Sequence, residues 1–182
     1  MGSTDAVAGS RILCLVDGEH YPNVLEWVLR DLDARSDGVV GIAFLGGTEK
    51  IRDPADAMAG ALREARVYPD LAGDAEAGLV EALHETGADL VVDLSDEPIL
   101  NARTRFRLAA RALKEGVPYH GADFHFVPPE QKRLLSKPSL AVIGTGKRIG
   151  KTAVAIQIGR ILRDAGRDPI IVTMGRGGPE DP

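Results

Sequence analysis

Lys151 and Thr152 carry the most definite chemistry in the chain. Ahead of them, Leu140 to Ile143 is a four-residue apolar run that reads as a short buried strand. Gly144 and Gly146 let the backbone turn sharply after it. Gly150-Lys151-Thr152 then opens a stretch with helical spacing, with Val154, Ile158, Ile161 and Ala165 on one face. Strand, glycine loop, Gly-Lys-Thr and helix form the layout of a phosphate-binding loop. In that layout, backbone N–H groups and the positive end of the helix dipole converge on a polyphosphate. Lys151 would reach the β- and γ-phosphates, and the Thr152 hydroxyl would hold Mg2+. ATP and Mg2+ are therefore the expected cofactors.

The spacing departs from the commonest pattern. Five residues, not four, separate Gly144 from Gly150, and Thr145 stands where the first glycine of the standard pattern would be. The longer loop resembles that of dethiobiotin synthetase and its relatives: Gly-Thr, four residues, Gly-Lys-Thr. The expected nucleotide site is Gly144, Thr145, Gly146, Lys147, Arg148, Ile149, Gly150, Lys151 and Thr152. Lys147 and Arg148 add two positive charges, pointing to a second anionic ligand beside the nucleotide. Downstream, Pro169 to Thr173 reads as the next strand, and Gly175-Arg176-Gly177-Gly178 follows it. Consecutive glycine amides can form an anion nest, so Arg176, Gly177 and Gly178 are expected on substrate or nucleotide phosphate.

The elements that position these residues are an alternating series. Residues 11–16 form a strand, and a helix follows from Asn23 with Val24, Leu25, Val28 and Leu32 on one face. Trp27 is expected in the core. Val39 to Leu45 is the second strand, Pro54 to Ala65 a helix, and Arg66 to Tyr68 a short edge strand. Asp74 to Thr86 is a helix ended by Gly87. Leu90 to Val92 is a strand, Ala102 to Glu115 a helix, and Val117 to His120 a last short strand. Alternation of this kind implies a parallel sheet with right-handed crossovers. Ligands then gather at the strand-to-helix loops, where the polar clusters Asp17/Glu19/His20, Thr48/Glu49/Lys50 and Ser95/Asp96/Glu97 fall. Asp17 and Asp96 either hold Mg2+ or serve as helix caps. Arg103, Arg105, Arg107 and Arg111 share a helix, where Arg107 and Arg111 read as a solvated face. His84, His120 and His125 read as structural or exposed.

Composition bounds the rest. A hydrophobic content of 44% in 182 residues is enough for a core, although aromatics are only 4%, which leaves that core to Ala, Val, Leu and Ile. No apolar run approaches the ~20 residues of a membrane span. The first ten residues carry no secretory signal pattern and read as a disordered tail. Cys14 alone gives neither a disulfide nor a metal-cysteine site. A cytoplasmic protein without nucleic-acid or membrane partners is expected. Residues 131–182 hold ten Lys/Arg against four Asp/Glu, and residues 1–130 hold twelve against twenty-three, so charges of +6 and −11 make the net −5. The positive part surrounds the glycine loop, as a polyanion site requires. The prolines and bases of 124–138 read as a break in the pattern. The expected organisation is a tail at 1–10, a Rossmann-like α/β domain at 11–130, a linker at 131–138, and the first β-α-β unit of a P-loop NTPase domain at 139–182.

Six runs together carry a more specific resemblance: Asp17 to Pro22, Gly46 to Lys50, Asp93 to Pro98, Gly121 to Phe124, Gly144 to Thr152 and Met174 to Pro179. In this order they resemble the cyclic 2,3-diphosphoglycerate synthetase family across residues 11–182, less than half of that family's usual chain. The resemblance implies ATP-driven closure of 2,3-diphosphoglycerate into a cyclic pyrophosphate, with ADP and phosphate released. The substrate is a polyanion, so Lys147, Arg148, Lys151 and Arg176 would supply cations for the reaction. Catalysis would be positioning and charge neutralisation with no covalent enzyme intermediate. A homodimer is the expected assembly. The chain reads as the front part of a longer protein, inactive by itself. A nucleotide-driven switch module, a fragment that folds only with its remainder, and a dethiobiotin synthetase-like ligase are the competing readings.

Overall fold

The computed structural model describes residues 7–47, 62, 64–71, 73–130, 132, 135–146 and 148–173. The chain divides into two compact units, Met1–Glu130 and Gln131–Pro182. The first contains β1 (Ile12–Val16), α1 (Pro22–Arg35), β2 (Val39–Phe44), β3 (Arg66–Tyr68), α2 (Ala75–Thr86), β4 (Leu90–Asp93), α3 (Ala102–Lys114), β5 (Tyr119–His120) and β6 (His125–Phe126). The second contains α4 (Lys151–Asp164). The expected helix over Pro54 to Ala65 lies largely outside the described residues.

The strands make one sheet in the order β3-β2-β1-β4-β5-β6. Five are parallel, and β6 runs antiparallel to β5. All five residues of β1 are buried, because it has a strand on each side and helices over both faces. Leu13 and Leu15 point into a cluster with Leu79 and Leu83 of α2 and Leu108 and Ala112 of α3. Ile12, Cys14 and Val16 point the other way, onto Leu25, Leu29 and Leu32 of α1. This is the period of two converted into a two-sided core. The sheet reverses its direction of growth between β1 and β4, so the loops after those two strands flank the topological switch point.

Several expectations are corrected. Residues 7–10 are not a loose tail: Val7 is buried in the α1-side core. Trp27 is 69% exposed, because the 25-29-32 spacing turns the opposite face of α1 to the sheet. Val24 is likewise exposed, and Leu29 takes the core place. His125–Phe126 forms a strand inside the proline-rich stretch read as a break. Its ladder to β5 is only two residues long, too short for any periodicity to show.

In the second unit, α4 is present and ends as expected. Gly166 takes the left-handed conformation, and the Arg167 amide donates to the Leu162 carbonyl at 2.9 Å. The two flanking strands are not formed among the described residues. Leu140 to Ile143 and Ile170 to Val172 belong to no ladder, and Ile143 is 88% exposed. An apolar run becomes a strand only when a neighbour accepts and donates its backbone hydrogen bonds. The apolar side of α4 is correspondingly open, with Val154 and Ile161 exposed. Ile171 nevertheless seats on α4, since a Cβ on Gly159 would lie 2.9 Å from its Cδ1.

Candidate functional site

The glycine loop owes its shape to backbone conformation. Gly150 is the N-cap of α4 with φ +85°, which a side chain would resist. Arg148 also has positive φ, at 60°, and Ile149 between them does not. Backbone that alternates hand in this way directs successive N–H groups to one side, the geometry of an anion nest. The first-turn amides of α4 have no acceptor within the helix, and Gly150 offers no side-chain cap. Lys151 lies on this turn and donates from Nζ to the Gly146 carbonyl at 2.5 Å. Its ammonium is thus tied to the backbone of the loop. Gly144 leaves room for Ile149 and Lys151, whose side chains occupy the space a Cβ would need. Thr152 is exposed on the first turn. Donors, dipole and cation are suited to a polyphosphate anion.

Lys147, Arg176, Gly177 and Gly178 lie outside the described residues, as do Thr48, Glu49 and Lys50. Of the added cations, Arg148 is described and exposed.

The second cluster is built from side chains at the switch point. Asp17 follows β1 and is 1% exposed. Its Oδ1 accepts from the Glu19 and His20 amides at 3.0 and 3.3 Å and from His20 Nδ1 at 2.7 Å. Its Oδ2 accepts from the Asp96 amide across the switch point at 2.7 Å. The Gly18 amide donates to the Gly46 carbonyl at 2.9 Å, joining the loop after β2 to the same knot. Neither acidic group caps a helix: the N-cap of α1 is Tyr21, without a side-chain bond, and that of α3 is Asn101, which accepts from the Thr104 amide. Among the described residues no group of three or more His, Cys, Asp or Glu is placed to hold a metal ion.

Beside this knot lies a centre that sequence reading did not single out. Asp93 ends β4 and is buried. Its Oδ2 accepts from Arg105 Nε at 2.8 Å and from the Tyr119 hydroxyl at 2.7 Å. Its Oδ1 accepts from the Ser95 amide at 3.0 Å and from the Ser95 hydroxyl. Arg105 also donates to the Ser95 carbonyl at 2.7 Å. Burial, and then the Asp93 charge, pushes the Tyr119 phenol well above its ordinary range, so it remains a donor. The one available signal in the sequence was a carboxylate closing an otherwise apolar strand, Leu90-Val91-Val92-Asp93. Of the other helix arginines, Arg107 pairs with Glu76 and Arg111 with Glu115. His84 meets Glu115, and His120 faces His125 across the β5–β6 ladder.

Among the described residues no helix is long and apolar enough to cross a membrane. Residues 11–127 match the family described as cyclic 2,3-diphosphoglycerate synthetase, N-terminal domain, and residues 139–182 match its P-loop domain. The chain is 49% identical over 170 residues to the cyclic 2,3-diphosphoglycerate synthetase of Thermococcus onnurineus, covering 93% of this chain and 37% of that relative. It is 47% identical to the protein of the same name from Rubrobacter xylanophilus, covering 94% and 37%. For that of Methanothermus fervidus the identity is 42%, covering 94% and 38%. The chain therefore spans a little over a third of the length of the curated relatives it matches. With both of its units matched in order, the chain belongs to the cyclic 2,3-diphosphoglycerate synthetase family.

Proposed function

We propose that this chain supplies the nucleotide-binding loop of an ATP-dependent ligase that closes 2,3-diphosphoglycerate into cyclic 2,3-diphosphoglycerate. The observation that carries the reading is the Gly144–Thr152 loop, with its left-handed Gly150 cap and Lys151 bonded to the Gly146 carbonyl, within the stretch matched to the family's P-loop domain. An oxygen of one substrate phosphate attacks the γ-phosphorus of ATP; the bond to the β-phosphate oxygen breaks and ADP leaves. An oxygen of the second substrate phosphate then attacks the phosphorus of the first. The new anhydride bond breaks, orthophosphate leaves, and the ring closes. Each step concentrates negative charge, so stabilisation comes from placed cations and amides rather than from a protein nucleophile.

Lys151 would hold the β- and γ-phosphates, and the amides of 144–152 would cradle the chain of phosphates. Lys147, Arg148 and Arg176 would neutralise the substrate's phosphates, with Gly177 and Gly178 contributing amides. The Thr152 hydroxyl would hold Mg2+, which would supply charge neutralisation to the phosphates. Asp17 fits Mg2+ poorly, since both its oxygens already accept N–H groups and it is buried. We assign Asp17 and the Asp96 amide to fastening the two loops instead. A soluble cytoplasmic setting without nucleic-acid or membrane partners is consistent with a small phosphorylated substrate, and a homodimer remains the expected assembly.

Phosphorus NMR on the enzyme in the full length of its relatives, with ATP, Mg2+ and 2,3-diphosphoglycerate, tests this. A cyclic pyrophosphate resonance should grow in step with ADP and orthophosphate. ATP hydrolysis proceeding equally without 2,3-diphosphoglycerate would overturn the reading in favour of a switch ATPase.

A further inference from the structure

We propose that the N-terminal unit carries a separate binding site for a flat, uncharged heteroaromatic ring of the guanine type, in the cavity between the start of α3 and the β5–β6 turn. The cavity is about 300 Å³ and is lined by Ala102, Arg105, Phe106, Asp123, Phe124 and Phe126. That volume is at the small end of ligand pockets, suited to a base or nucleoside.

The place follows from the topology. In an open α/β sheet the ligand crevice opens at the switch point. Here that opening is tied across by Asp17 and the Asp96 amide. The space left at the same edge of the sheet lies one strand further along, past Asp93.

The lining sets the ligand. The chain has four phenylalanines, and three of them meet here, so the ring density is not a by-product of composition. Phe106 and Phe126 have centroids 5.8 Å apart, and Phe124 and Phe126 5.2 Å, both tilted. Phe106 is 63% exposed, its ring face left open by the described residues. Such faces stack planar rings. Arg105 is fixed by its Nε and one terminal nitrogen on Asp93 and Ser95, which leaves its other terminal nitrogen unpartnered among the described residues. A terminal nitrogen so presented can donate to a ring acceptor such as guanine O6. Asp123 also lines the cavity and has no hydrogen bond or ion pair to any described residue. Its carboxylate can accept from a ring N–H and an adjacent amine, the other edge of guanine. A polyanion is disfavoured: Asp93 already balances the Arg105 charge, and Asp123 leaves the cavity negative.

The test is NMR titration of the whole chain with guanosine, which lacks phosphate and cannot use the glycine loop's anion nest. Guanosine should shift the Phe106, Phe124 and Phe126 ring resonances. Inosine, lacking the exocyclic amine, should bind several-fold more weakly. Asp123→Asn should weaken guanosine roughly tenfold, and Phe106→Ala about fivefold. Neither variant removes a group that holds the fold, and unchanged dispersion elsewhere in the spectrum verifies this. Absence of ring shifts at millimolar guanosine would overturn the proposal. So would an affinity unchanged by Asp123→Asn, or a response abolished by Lys151→Ala, which would place guanosine at the glycine loop.

Discussion

Asp17 and Lys151 are both charged residues in loops beside a helix N-terminus, and they are held in different ways. Asp17 is 1% exposed and accepts from Glu19, His20 and, 79 residues along the chain, Asp96. Lys151 is half-buried and bonds to the Gly146 carbonyl five residues back. The first arrangement exists only because the sheet brings two crossover loops together. The second is local, written into nine consecutive residues. The Asp17 cluster is therefore a partner in folding, and the polar groups of the glycine loop remain available to a ligand. Substitutions should separate the two regions by what they change: stability in one, nucleotide binding in the other.

The largest effect is expected at Asp93. Asp93→Ala strands the partly buried Arg105 guanidinium and the Tyr119 hydroxyl, and should cost about 3–5 kcal/mol in urea unfolding of the N-terminal unit. A cost near zero would break the comparison. Lys151→Ala should leave that unfolding transition in place and lower ATP affinity roughly ten- to a hundredfold by calorimetry, as expected for losing a charged hydrogen bond. Asp17→Ala leaves three backbone amides without their acceptor and should cost about 1–3 kcal/mol. It should not alter the Mg2+ dependence of ATP binding, and a changed Mg2+ requirement would restore a metal role.

A matched pair sharpens the contrast. Gly87 and Gly150 are both left-handed helix-end residues, with φ of 61° and 85°. Gly87→Ala should lower stability by about 1 kcal/mol without touching ATP affinity. Gly150→Ala should read out mainly as weakened ATP binding, because it distorts the nest.

The smallest effect concerns His120. Burial, and then the neighbouring His125, lowers its pKa below the ordinary 6.5. The folded state thus favours neutral imidazole, so its contribution is complete above pH 6.5 and is lost as pH falls through the folded value. Stability of the N-terminal unit should decline in that acid window, and His120→Gln should flatten the decline.

Much of the fold was legible because strong local signals coincide. The apolar β1, the Asp74 cap and the Gly87 stop of α2, and the Gly166 end of α4 each depend on near neighbours in sequence. Errors arose where the environment decides. Trp27 is aromatic but lies on the face of α1 turned from the sheet. Leu140 to Ile143 is apolar but has no ladder partner among the described residues. Residues 125–126 pair only because a tight turn at Gly121–Phe124 returns them to β5.

The sequence by itself determined the phosphate loop, since glycine freedom, a lysine and a helix start are properties of consecutive residues. It also determined the alternation of strands and helices, through hydrophobic periodicity. The tertiary structure alone decided which distant residues meet: Asp17 with Asp96, Asp93 with Arg105 and Tyr119, and three phenylalanines around one cavity. Those meetings are set by sheet order, which places β1 beside β4, and no local spacing encodes a contact between residues 79 positions apart.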